Sequence, residues 1–136
     1  MDQSKVNELI TLIGRQLKWL DENVKSNDVV SVDRVLDKLA MLADSFGELV
    51  SDAYALANYL EDDYKHSVAE FKKSFKGGVA KGEIEAEVQY KQKKIDWTQA
   101  KNGYKKLSMK LDRIDKILES RRQTVSVIVK TQIKNI

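Results

Sequence analysis

Lysine is the residue type that this sequence offers most plainly for chemistry, and that chemistry is attraction of phosphate. Lys65, Lys72, Lys73, Lys76 and Lys81 fall around a glycine-rich stretch. Lys91, Lys93, Lys94, Lys101, Lys105, Lys106 and Lys110 follow, with Arg113, Lys116, Arg121 and Arg122 beyond. Phe71, Phe75, Tyr90, Trp97 and Tyr104 are interleaved with them. A basic track beside aromatic faces is how sequence-blind proteins hold single strands: ammonium groups attract phosphates and rings stack on bases. Lysines outnumber arginines, which suits backbone contact better than base reading. The expected nucleic-acid contacts are Lys72, Lys73, Lys76, Lys81, Lys91, Lys94, Lys101 and Lys105. A second reading stands beside this one. Lysine is also a good solvated helix residue, and Phe71, Tyr90, Trp97 and Tyr104 fall at core spacing.

Other chemistry is scarce. The chain has no cysteine, which excludes disulfides, thiolate metal sites and thiol nucleophiles and suits a reducing compartment. Its one histidine, His66, has no neighbours that would complete a triad or a zinc site. Glu61-Asp62-Asp63 would point three carboxylates in different directions from a helix, so they read as a solvated face. Lys76-Gly77-Gly78-Val79-Ala80-Lys81-Gly82 lacks phosphate-loop order and reads as a turn, although its lysines and free N–H groups could touch phosphate. The expectation is no catalytic residue, no metal and no cofactor.

The elements that position these residues are helices. There is no proline among 136 residues, and a third of them are charged. The first helix spans about 4–25, with a seam of Val6, Ile10, Ile13, Leu17, Leu20 and Val24 widened by Leu9 and Trp19. Ser26-Asn27-Asp28 breaks it. The second spans about 31–75, with Ser31 as N-cap and Asp33 in the first turn. Its seam is Val35, Leu39, Leu42, Phe46, Leu49, Ala53, Leu56 and Leu60. The third spans about 83–134, with Glu83, Glu85 and Glu87 at its start. Its seam is Ala86, Tyr90, Lys93, Trp97, Ala100, Tyr104, Leu107, Leu111, Ile114, Leu118, Arg121, Val125 and Ile128. Gly103 either weakens this helix or permits close packing.

These features predict one all-α domain over 1–136: a long antiparallel, coiled-coil-like hairpin plus a shorter N-terminal helix. Seams this long exceed what a hairpin shields, so an oligomeric helical bundle is expected. Leu107, Leu111, Ile114, Leu118, Arg121 and Val125 are the expected assembly positions, with Arg121 needing a carboxylate partner. Residues 1–64 hold 6 Lys/Arg against 13 Asp/Glu, net −7; residues 65–136 hold 18 against 8, net +10. That asymmetry suits either a polyanion or pairing between subunits. No secretory or membrane-spanning segment is visible, so a cytoplasmic protein is expected. The tail Thr124–Ile136 offers a weaker membrane-surface reading, because it lacks a large basic face.

Three stretches resemble the UvsY-type recombination mediators of tailed phages. These are Phe71-Lys72-Lys73-Ser74-Phe75-Lys76 before a glycine-containing turn, the entry Glu83-Ile84-Glu85-Ala86-Glu87, and Ile114-Asp115-Lys116-Ile117-Leu118-Glu119-Ser120-Arg121-Arg122. The resemblance covers roughly 54–130 and not the acidic Met1–Tyr64. It implies a ring-like homo-oligomer in the host cytoplasm that binds single-stranded DNA. Such a protein helps a RecA-like recombinase replace a single-strand binding protein. It would place DNA contacts at Lys72, Lys73 and Lys76, and Ser120-Arg121 in the assembly region. The alternative is a helical protein-binding module, such as a phage inhibitor of a host defence enzyme, an assembly chaperone or an adaptor. In that case Asp37, Asp44, Glu48 and Asp52 could mimic nucleic acid.

Overall fold

The computed structural model describes residues 3–25 and 29–134, with side chains described as far as residue 131. All the regular structure among them is helical: α1 (Gln3–Asn23), α2 (Val29–Ser74), α3 (Val79–Gln89) and α4 (Lys91–Lys134). The Ser26-Asn27-Asp28 break lies outside the described residues. Contacts divide the chain into two units, residues 1–49 with 108–136 and residues 50–107, and α2 and α4 run through both.

The first unit is a three-helix core. Ile13 and Leu20 of α1, Val32, Leu36, Leu39 and Ala43 of α2, and Leu118 and Val125 of α4 form one buried cluster. Leu17, Trp19, Val24, Val35, Leu42, Ile114 and Val129 pack around it. Phe46 and Val6 are fully buried in the same unit. The α2 stripe is wider than the expected seam, because two helices cover this part of α2. Leu39, Phe46 and Leu49 are buried as expected, but Val32, Leu36 and Ala43 are buried beside them, while Val35 and Leu42 are only half-buried. In the last turn of α1 the Asn23 side-chain amide donates to the Trp19 carbonyl at 2.8 Å.

The second unit is a hairpin with thinner packing. Ring pairs Tyr54–Tyr104, Tyr64–Trp97 and Phe71–Tyr90 show the register: partner numbers fall along α4 to Tyr90 just before it as they rise on α2, so the arms are antiparallel. Its buried apolar positions are Ala53, Ala57, Ala86 and Leu107, with Gly82. Leu56, expected in the seam, is 40% exposed, because a single facing helix covers only a narrow stripe.

Three boundaries differ from the sequence reading. Ser31 lies inside α2, which starts at Val29, so it is not the N-cap and Asp33 falls beyond the first turn. The third helix begins at Val79, directly after Gly78, whose φ of 100° is open to glycine at little cost. Gly82 is therefore inside a helix, and its missing side chain admits the Phe75 ring: a Cβ there would sit 2.9 Å from that ring. The third helix is also interrupted once, at Tyr90 (φ −105°, ψ 23°). Backbone bonds still enter and leave this residue in helical pattern, from its own N–H to Ala86 and from Lys94 N–H to its carbonyl. The distortion accompanies edge-on packing of the Tyr90 ring against Phe71, at 6.2 Å between centroids.

Candidate nucleic-acid interface

The turn between α2 and α3 is rich in lysine. Residues 72–82 carry Lys72, Lys73, Lys76 and Lys81 and no acidic residue. Lys72 and Lys76 line a pocket with Phe75, Gly78, Val79 and Gly82 at the start of α3. Gly78 brings no capping side chain, and the first bond of this turn runs from Gly82 N–H back to the Gly78 carbonyl. The N–H groups of Val79, Ala80 and Lys81 therefore precede any intrahelical acceptor and leave the partial positive charge of a helix start. Lys73 lines a neighbouring groove with Glu70, Phe71, Ser74 and Tyr90. Two carboxylates border this lysine set: Glu70 in the Lys73 groove, and Glu83, whose Oε1 lies 3.8 Å from Lys72 Nζ, a loose pair with both side chains exposed.

Farther along, Lys91, Lys94, Lys101 and Lys105 fall within one arc of α4, at intervals of three, seven and four residues. All four are exposed, and none forms an ion pair among the described residues. Lys101 lies 5.9 Å from the Trp97 ring centroid, and Lys65 approaches the same ring at the same distance. The Glu61 carboxylate accepts a 2.7 Å hydrogen bond from Lys65 and holds that ammonium above the usual lysine range.

The aromatics pack against one another. Tyr64 and Trp97 stack at 5.7 Å, Phe71 and Phe75 at 5.5 Å, and Tyr54 and Tyr104 meet at 5.1 Å. Phe71, Tyr90, Trp97 and Tyr104 are half-buried, their faces engaged by protein. These rings are engaged with one another without joining the buried core, which leaves the lysine track short of the free platforms that base stacking needs.

Seam cations are paired inside the chain. Lys93 Nζ forms an ion pair with Asp63 Oδ2 at 2.9 Å, donates to Ser67 Oγ at 3.0 Å, and lies 5.7 Å from the Tyr90 ring centroid. Arg121 Nη2 donates to Asp21 Oδ2 at 3.1 Å. Its Nε lies 2.6 Å from Asp21 Oδ1 but off the line of a hydrogen bond, so that contact is purely electrostatic. The positions expected to mediate assembly thus pack within the protomer: Leu107, Leu118 and Val125 are buried, and Leu111, Ile114 and Arg121 are half-buried. His66 is exposed, and the carboxylates of the acidic run diverge, Glu61 to Lys65 and Asp63 to Lys93. No group of acidic or histidine side chains suited to a metal occurs among the described residues, and no described helix is long and apolar enough to cross a membrane.

One surface was missed from sequence. α3 turns its small residues Gly82 and Ala86 inward and leaves Val79, Ile84 and Val88 exposed, at 82%, 63% and 68%. Ile84, Val88, Lys91, Ile95 and Thr98 form a second stripe with the same 4, 3, 4, 3 spacing as the seam, offset by two residues. That periodicity was the available signal. A scan against protein-family models and searches of curated proteins and of solved structures found no match to this chain.

Proposed function

We propose that this chain is a non-enzymatic protein that holds single-stranded nucleic acid by its phosphates, as a recombination mediator of phage type does. The observation that carries the reading is the acid-free run 72–82, which sets four lysines around the uncapped start of α3. Lysine charge and helix-start N–H groups act on the same ligand atoms, the phosphate oxygens. The engaged aromatics refine the mode: contact runs through the backbone, with little base stacking and little sequence preference. On this reading the chain works in the host cytoplasm as an assembly factor, its partners a single strand, further copies of itself, a RecA-like recombinase and a single-strand binding protein. The resemblance of 54–130 to UvsY-type mediators supports that wider role.

The direct test replaces Lys72, Lys73 and Lys76 together by Ala. Binding to a labelled oligo-dT should weaken at least tenfold at low salt, with helical content unchanged by circular dichroism. Equal affinity in the triple variant would remove the turn from the interface. A protein-binding module remains the second reading, favoured by the outward-facing apolar residues of α3. A stoichiometric partner captured from nuclease-treated host lysate, together with no affinity for oligo-dT, would decide for it.

A further inference from the structure

The outward stripe of α3 and α4 forms a groove lined by Ile84, Glu87, Val88, Lys91, Lys94 and Ile95. Ile84 and Val88 are largely exposed, and apolar patches of this kind mark contact sites. Helical spacing puts Ile84, Val88, Lys91 and Ile95 along the middle of the stripe, and Glu87 and Lys94 along one flank, seven residues apart. Glu87 and Lys94 are exposed, and neither has an ion pair among the described residues. Ile84 and Glu87 occupy one end of the stripe, and Lys94 and Ile95 the other. Turned end over end, the stripe is its own complement in both shape of pattern and charge.

We infer that two copies pair through this stripe, antiparallel about a twofold axis at its middle. In that register Ile84 lies against the partner's Ile95, Val88 against the stem of the partner's Lys91, and Glu87 beside the partner's Lys94. The twofold repeats each contact, so one surface serves both copies. A parallel pairing would bring Gln92 and Gln99 to Glu87 and Lys94, which leaves both charges without an opposite charge. The outer face of α2, where Asp52 and Asp62 are exposed near Tyr59, would suit the lysines but set carboxylates against Glu87. The two Lys91 ammonium groups flank the axis and reach out to water over their aliphatic stems, which limits the affinity. Lys94 is held in the interface, and Lys72, Lys73, Lys76 and Lys81 stay available to phosphate. The inference does not rest on nucleic-acid binding, and its test contains no nucleic acid.

The test is sedimentation velocity on nuclease-treated, full-length protein at tens of micromolar. Wild type is expected as a dimer of the 15.6 kDa chain. Glu87→Lys and Lys94→Glu should each weaken the dimer about tenfold or more, since each sets like charges together on both sides of the axis. An equimolar mixture of the two should recover it, and so should the double variant Glu87→Lys/Lys94→Glu, in which the pair is reversed. Both positions are exposed, so helical content by circular dichroism should not change. Seating of the α2 face in the groove predicts the opposite for Glu87→Lys, which would then tighten association. Because the chain has no cysteine, Ile84→Cys/Ile95→Cys reports the register. Oxidation should link two copies, while the two sites within one copy lie about 16 Å apart along the helix and cannot join. A monomeric wild type, a tighter Glu87→Lys variant, a double charge variant that stays dissociated, or cysteines that do not link copies overturns the inference.

Discussion

Arg121 and Lys93 show what a cation does at a position that periodicity assigns to apolar residues. Each reaches a carboxylate on a neighbouring helix, Asp21 and Asp63 respectively, so neither is left without compensation. The need for such a partner was legible in the sequence. Which carboxylate answers it was not, because Asp21 lies 100 residues away and only the packed helices bring it close. Both pairs are substantially exposed, and solvent screening keeps each to about 0.2–1 kcal/mol. Arg121→Ala should therefore lower urea stability by about 1 kcal/mol, including lost packing of its aliphatic stem. A double-mutant cycle with Asp21→Ala should return a coupling of about 0.5 kcal/mol, and additive effects would show that the pair contributes nothing. Lys93→Glu, which faces Asp63 with a second carboxylate, should cost more than Lys93→Met.

At the scale of the element, two glycines make opposite predictions. Gly82→Val would drive a branched side chain into the Phe75 ring and loosen α3, at about 1–3 kcal/mol for overpacking. Gly103 sits inside α4, and a Cβ there meets nothing within 4 Å. Close packing is thus not its reason, and Gly103→Ala should stabilise the helix by up to about 1 kcal/mol in thermal unfolding. A lower melting temperature for Gly103→Ala would contradict this. The hairpin topology was readable from the seams, although the expected third helix is two, α3 and α4, and every α4 seam position from Trp97 to Val125 is buried or half-buried. The start of α3 was not, since a glycine cluster reads as a turn until Phe75 is seen to fill the space that Gly82 leaves. The α2 stripe was read too narrowly because one sequence cannot say how many helices will surround a given turn.

For the whole chain, the contrast between acidic and basic halves is largely absorbed by folding. Antiparallel pairing brings acidic stretches of α2 beside basic stretches of α4. Residues 1–49 with 108–136 hold 13 Lys/Arg against 12 Asp/Glu, net +1, and residues 50–107 hold 11 against 9, net +2. Long-range attraction of a polyanion by net charge is therefore weak, and local clusters such as 72–82 must supply it. The units also differ in core. Leu20, Leu39 and Phe46 are fully buried in the first, whereas the second hides mainly alanines behind half-buried rings. Amide exchange should accordingly be slowest in residues 32–46 and 111–125 and faster in α3; equal protection throughout would mean that alanine packing holds as firmly as the leucine core. Phosphate contact through the turn is the central claim, and a salt titration of oligo-dT binding tests it most directly. The plot of log affinity against log salt should fall steeply for wild type, and Lys72→Ala/Lys73→Ala/Lys76→Ala should flatten the slope by about 2, at about 0.7 per single-strand phosphate contact. A wild-type affinity that ignores salt, or a slope the triple variant leaves unchanged, would contradict it.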